Sequence, residues 1–134
     1  DAHYLTFRHE RRPEIPRLVA FDYLVNNADR KSGHCLKGRD GRIWAIDNSL
    51  TFHPTPKLRT VIWDLQGEPL PTEVHASLRE LRPRLVTGGP LAAKLAPLLT
   101  AAEVEALRRR LDQLLQYGRY PLPGPGRHYP WPLV

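Results

Sequence analysis

The chain has 134 residues, with 20 Lys and Arg against 14 Asp and Glu, a formal charge of +6 and one cysteine. That length allows one domain with a real core, but it is small for a complete nucleotide-dependent enzyme. The lone Cys35 excludes an intrachain disulfide, no apolar run reaches the roughly 20 residues that span a bilayer, and a basic balance suits phosphate groups, acidic proteins or nucleic acid alike. There is no methionine, so Asp1 is not an initiating residue and the chain reads as a fragment, a processed chain or a chain whose start is missing. A cytoplasmic location is the simplest expectation.

The first twelve residues show no clean period and read as the continuation of an earlier element, with no role of their own. From Pro13 or Glu14 to about Asn26, Ile15, Leu18, Val19, Phe21, Leu24 and Val25 recur at helical spacing, which predicts a core-facing helix with Pro13 and Pro16 at or before its first turn. Gly33 to Lys37 and Arg42 to Asp47, turned by Asp40-Gly41, predict a β-hairpin. Irregular or short helical structure follows through the apolar patch Val61-Ile62-Trp63. Pro71-Thr72-Glu73 opens a helix expected to end near Leu81, before Pro83, with a short helix from about Ala92 to Leu98 after it.

Thr100 to Glu103 has capping-box spacing, and Val104, Leu107, Leu111, Leu114 and Leu115 carry an apolar stripe to a stop at Gly118. Arg108, Arg109 and Arg110 then read as a solvated face rather than a nucleic-acid patch. The tail of residues 120–134 is dominated by Pro and Gly and is expected to lie extended on the body of the same unit, packing through Tyr129 and Trp131. The whole is an α+β, mostly helical class with one small hairpin.

Two acids frame the hairpin. Asp29 follows the first long helix in Asn27-Ala28-Asp29-Arg30-Lys31-Ser32-Gly33-His34, and Asp47 closes the returning strand thirteen residues after His34. Phosphoryl transfer needs a carboxylate that orients the acceptor hydroxyl and another that holds a divalent metal on the nucleotide phosphates. Asp29 and Asp47 can supply these roles, with His34 facing the same metal. Arg30 and Lys31 place positive charge beside Asp29, to contact phosphate or to lower its pKa. The bland alternative makes Asp29 a turn acid, Asp47 a strand-end acid, His34 structural and Asn26-Asn27 a helix stop, although Asn27 can brace the loop of Asp29. His53 reads as a turn cap, and Cys35 as core.

These segments resemble the phosphatidylinositol 3-/4-kinase-like superfamily, whose pattern runs Asp-Arg-His-x-x-Asn, then a hairpin, then Ile-Asp-Phe-Gly. The spacings from Asp29 and from His34 to Asp47 match without a gap. Phe21 to Asp29 is also similar to HipA-type protein kinases. The nearest likeness is to small actinobacterial members of unassigned substrate, whose loop reads Asn-Asn-x-Asp-Arg-Lys-x-Gly-His and whose tail carries Pro-Trp-Pro, as at Pro130 to Pro132. It covers residues 21 to 53 most closely.

The resemblance implies the C-terminal lobe of a protein-kinase-like fold, with Asp29, Arg30 and Lys31 catalytic, Asp47 and His34 on Mg²⁺ or Mn²⁺, and Asn27, His34 and Ile46 bordering ATP. It also implies an N-terminal lobe outside this sequence, so that the fragment alone is inactive. The acceptor, protein, lipid or small molecule, is not written in the residues, and no membrane span or nucleic-acid partner is expected. Here Lys31, His34, Asn48 and Ser49 replace the pattern's His, Asn, Phe and Gly. These departures motivate the competing readings of a nucleotide-binding pseudokinase or interaction module without turnover. A basic nucleic-acid-binding domain is the third.

Overall fold

The computed structural model describes residues 2–134, and in it helices predominate over one two-stranded antiparallel sheet, an α+β architecture. In chain order these are α1 (Tyr4–Phe7), a 3-10 turn (Arg8–Glu10), α2 (Glu14–Val25), a second 3-10 turn (Ser32–His34), β1 (Cys35–Lys37), β2 (Ile43–Ala45), α3 (Thr72–Leu85), α4 (Pro90–Leu95) and α5 (Ala101–Tyr117).

α2 organises the rest because it is apolar on more than one side and so is buried on more than one side. Ile15 and Leu18 enter one apolar cluster with Tyr4, Phe7, Cys35, Val61 and Ile62. Ala20 and Leu24 enter another, with Val74, Leu78 and Leu85 of α3 and Leu107, Leu111 and Leu114 of α5. Pro16 falls in the first turn, where its missing N–H costs nothing, and the helix stops on Asn26 in the left-handed conformation.

The opening residues correct the sequence reading, for they have a role of their own. Tyr4 and Phe7 are buried and meet edge to face at 6.0 Å, and the Tyr4 hydroxyl donates to Asp64 at 2.6 Å. A single helical turn sends only two side chains inward, too few for a period to show.

The hairpin pairs Cys35 with Ala45, Leu36 with Trp44 and Lys37 with Ile43. Gly41 takes φ 81° at the turn, a conformation open to glycine at little cost. The strands are shorter than expected, since Ser32–His34 is a 3-10 turn and Asp47 leaves the extended region. Cys35 has no exposed surface, and burial pushes its thiol up to about 12. Native protein should therefore resist a thiol reagent such as dithionitrobenzoate for as long as the fold persists, whereas chain unfolded in urea should react fully within minutes. Equal rates in the two states would contradict this placement.

α3 does not stop before Pro83 but runs two residues past it to Leu85. A proline inside a helix costs about 3 kcal/mol. The last turn is held by burial of Leu85 and by the Arg108 Nε, which donates to the Leu85 carbonyl. α4 starts earlier and ends earlier than expected, with Pro90 in its first turn. α5 carries the expected capping box, Glu103 N–H donating to Thr100 Oγ1 at 3.1 Å and Thr100 N–H to Glu103 Oε1 at 2.7 Å.

Arg110 corrects the solvated-face reading: it is buried, and its Nε donates to the Leu24 carbonyl at 2.7 Å. It sits three residues after Leu107 and one before Leu111, at the edge of the apolar stripe, and so meets the C-terminal end of α2, where carbonyls lack helical partners. Burial pulls its guanidinium below the usual range.

The tail lies on the body, but not through the side chains expected. The His128 carbonyl accepts from Thr60 N–H and from Trp63 Nε1, each at 3.1 Å. Pro130 is fully buried, while Tyr129 is exposed and Trp131 is 75% exposed. With Pro130 turned onto the body, both aromatic neighbours are left outside.

Candidate active site

The site begins where α2 ends. Asn26, at φ 55°, donates through Nδ2 to the His53 and Thr55 carbonyls at 2.7 and 2.8 Å and accepts from Lys57 N–H at 2.8 Å. It therefore shapes the loop of residues 53–57 as well as stopping the helix. His53 Nδ1 accepts from Thr55 N–H at 3.0 Å, the turn cap read from the sequence. Asn27 has no exposed surface; its Oδ1 accepts from Asp29 N–H at 2.9 Å and its Nδ2 donates to Asp22 at 3.2 Å. It braces the backbone of Asp29 and is not placed to touch a nucleotide.

The loop backbone is pinned from several sides. Ala28 N–H donates to the Leu50 carbonyl, Arg30 N–H to that of Arg59 and Val61 N–H to that of Arg30, at 2.9, 2.9 and 3.0 Å. Ser32, also fully buried, donates its N–H to the Leu133 carbonyl at 2.8 Å, and its Oγ lies 2.7 Å from His3 Nδ1 and accepts from Leu5 N–H at 2.8 Å.

Arg30 is turned away from the position sequence reasoning gave it. Its side chain has 0% exposure and pairs with Asp22 of α2 at 2.9 Å, itself 3% exposed. Nη1 donates to the Ile46 and His34 carbonyls at 2.9 and 3.2 Å, and Nη2 to Asp22 at 3.0 Å and to Asn48 Oδ1. No phosphate can reach this guanidinium. Burial pushes the Asp22 carboxyl up, against the pull of Arg30 and Asn27. Asp22 is the residue that sequence reasoning missed, and a signal was available: an acid among apolar residues on a buried helix needs a partner.

His34 and Asp47 do meet. His34 Nδ1 lies 2.8 Å from the Asp29 carbonyl, which can only accept, so the hydrogen-bond network assigns the proton to Nδ1. Nε2 then faces Asp47 Oδ2 at 3.5 Å. The other oxygen, Oδ1, accepts from Ser49 Oγ at 2.8 Å. The Ser49 hydrogen bond and the nearby imidazole hold the Asp47 carboxyl below the usual carboxylate range. Asp47 has φ 49° with its side chain 54% exposed, a backbone conformation that costs a non-glycine residue on the order of 1 kcal/mol or more.

The imidazole thus links the backbone of one acid to the carboxylate of the other. The Asp29 side chain is half-buried and, among the described residues, without a hydrogen-bond partner. Lys31 is half-buried beside it, and Ile46 is exposed, its N–H donating to the His34 carbonyl at 2.9 Å. Among the described residues no group of three or more His, Cys, Asp and Glu is placed to hold a metal. The available donors are one carboxylate, one imidazole nitrogen and the Ser49 hydroxyl. Such a set fits an ion held by one or two protein groups with water and substrate phosphates completing its shell, and does not fit an all-protein cage.

No helix of the described residues is long and apolar enough to cross a membrane. No protein-family model matches the chain, and no solved structure matches it. The chain is 45% identical over 118 residues to Protein Rv2133c of Mycobacterium tuberculosis (strain ATCC 25618 / H37Rv), a name that states no activity. The match takes in 88% of this chain but 42% of the relative, so the chain spans less than half the length of the protein it is similar to.

Proposed function

We propose that this chain is the catalytic lobe of an ATP-dependent phosphotransferase of the phosphatidylinositol 3-/4-kinase-like type. The observation that carries the reading is the His34 bridge, with Nδ1 on the Asp29 carbonyl and Nε2 toward the Asp47 carboxylate. It ties an unpartnered acid to an acid whose low pKa keeps it anionic, at the spacing the resemblance requires. In the proposed reaction the acceptor hydroxyl oxygen bonds to the γ-phosphorus of ATP. The bond from that phosphorus to the β–γ bridging oxygen breaks, ADP leaves, and the hydroxyl proton passes to Asp29 or through it to solvent.

Asp47 and His34 would hold Mg²⁺ or Mn²⁺, which neutralises charge on the phosphates when bound; an imidazole ligand suits Mn²⁺ better than Mg²⁺. Sequence outside these residues, of the kind the longer relative has room for, would supply the wall over the nucleotide. The acceptor is a hydroxyl compound or protein side chain.

The test is ATP consumption by the intact protein with Mg²⁺ and, separately, with Mn²⁺. Turnover that Asp47→Ala reduces by a factor of about 100 or more supports the reading. Turnover unchanged by Asp47→Ala overturns the assignment of that residue. Metal-dependent ATP binding with no consumption would favour a pseudokinase, the second reading, which the replacement of the family's Asn by His34 favours.

A further inference from the structure

Where the resembling families have Phe and Gly after the metal acid, this chain has Asn48 and Ser49. Ser49 donates to Asp47 itself. Asn48 lies at the surface, yet its Oδ1 accepts from Nη2 of the fully buried Arg30. The same guanidinium donates Nη1 to the carbonyl of Ile46 and to that of His34. One cation therefore grips the residue before Asp47, the residue after it, and the backbone of the imidazole facing it. Asp22 neutralises that cation and orients it from α2 through Nε and Nη2. A guanidinium is a rigid planar fork, so acceptors on several of its edges fix one another's positions.

We infer that Asn48 is a positioning residue for the metal site: through Arg30 it clamps the strand end on the far side of Asp47 and keeps that residue's backbone left-handed, with its carboxylate between His34 and Ser49. Without an acceptor at 48, Arg30 holds the segment at Ile46 alone, and the next tie to the body is the Leu50 carbonyl, which accepts from Ala28 N–H. Asp47, at φ 49°, is then free to relax toward ordinary backbone, which carries its carboxylate off His34. This rests on the reading of Asp47 and His34 as a metal site, and it assigns a use to one of the departures from the family pattern.

The experiment measures Mn²⁺ affinity of the intact protein by electron paramagnetic resonance of the free ion, with thermal melting as a check on folding. Asn48→Leu, similar in size but with no acceptor, should weaken Mn²⁺ binding about tenfold or more, the usual loss when an outer-shell partner of a metal ligand is removed. Asn48→Asp, which keeps the acceptor, should stay within about threefold of the parent. Folded Asn48→Leu that binds Mn²⁺ like the parent, while Asp47→Ala does not bind, overturns the inference and leaves the metal site standing. A parent that Asp47→Ala matches in Mn²⁺ affinity overturns the metal site and the inference with it.

Discussion

Arg30→Ala is expected to lower the stability of the fold by about 3–5 kcal/mol, a large share of the total for a domain of this size. The variant strands Asp22 as an unpaired carboxylate 3% exposed, and removes the donors to the His34 and Ile46 carbonyls and to Asn48. An exposed pair gives the contrast: Arg82 and Asp112, at 2.9 Å with side chains 62% and 54% exposed, should cost about 1 kcal/mol or less when broken. Urea denaturation followed by circular dichroism checks both. An Arg30→Ala midpoint within about 1 kcal/mol of the parent would mean that the buried pair is not what holds the loop to α2. Because desolvation opposes the pair, Asp22→Leu with Arg30→Met should recover the part of the loss that comes from the stranded carboxylate, but not the part that comes from the His34 and Ile46 carbonyls, which still lack a donor.

Asp29→Asn should leave the fold and metal-dependent ATP binding intact and reduce phosphoryl transfer by about 10²–10⁴-fold, the usual range for a positioned acid or base. The expectation follows from what the residue does not do: its carboxylate holds up no described part of the structure, while its backbone N–H and carbonyl are committed to Asn27 and His34. An isosteric amide keeps those backbone bonds and removes only the negative charge. The effect should therefore appear in kcat with little change in the KM for ATP. Single-turnover transfer in the intact protein, compared with nucleotide binding measured separately, checks it. Asp29→Asn transferring at the parental rate would return Asp29 to the role of a turn acid.

Much of the architecture was legible because it is local. The α2 period, the Asp40-Gly41 turn, the Thr100 capping box and the Gly118 stop each lie within a few residues of their cause, and the structure has them all. His34 facing Asp47 was legible as well, since a hairpin brings strand ends together whatever else the chain does. What could not be read were partners distant in sequence. Arg30 beside an acid looks like a phosphate ligand until Asp22, eight residues earlier, claims it. Arg110 looks solvated until the end of α2 meets it across 86 positions. Pro83 looks like a stop until the burial of Leu85 outweighs it. Periodicity reports which face is apolar and is silent on what that face will meet.

The hydrogen bond from Ser32 to Leu133 joins the tail to the loop at a single amide. The last residues reach the body over an exposed Gly-Pro-Gly stretch, residues 124–126, and they are fastened by backbone bonds at His128 and Leu133 with one buried proline between. A segment held so lightly opens at a small fraction of the global free energy. Each such opening uncovers the Ser32 amide, three residues from Asp29. The loop keeps its bonds to Leu50, Arg59, Val61, His3 and Leu5 through such an opening, so hydrogen exchange at the Ser32 amide reports the excursions of the tail while the loop itself stays in register.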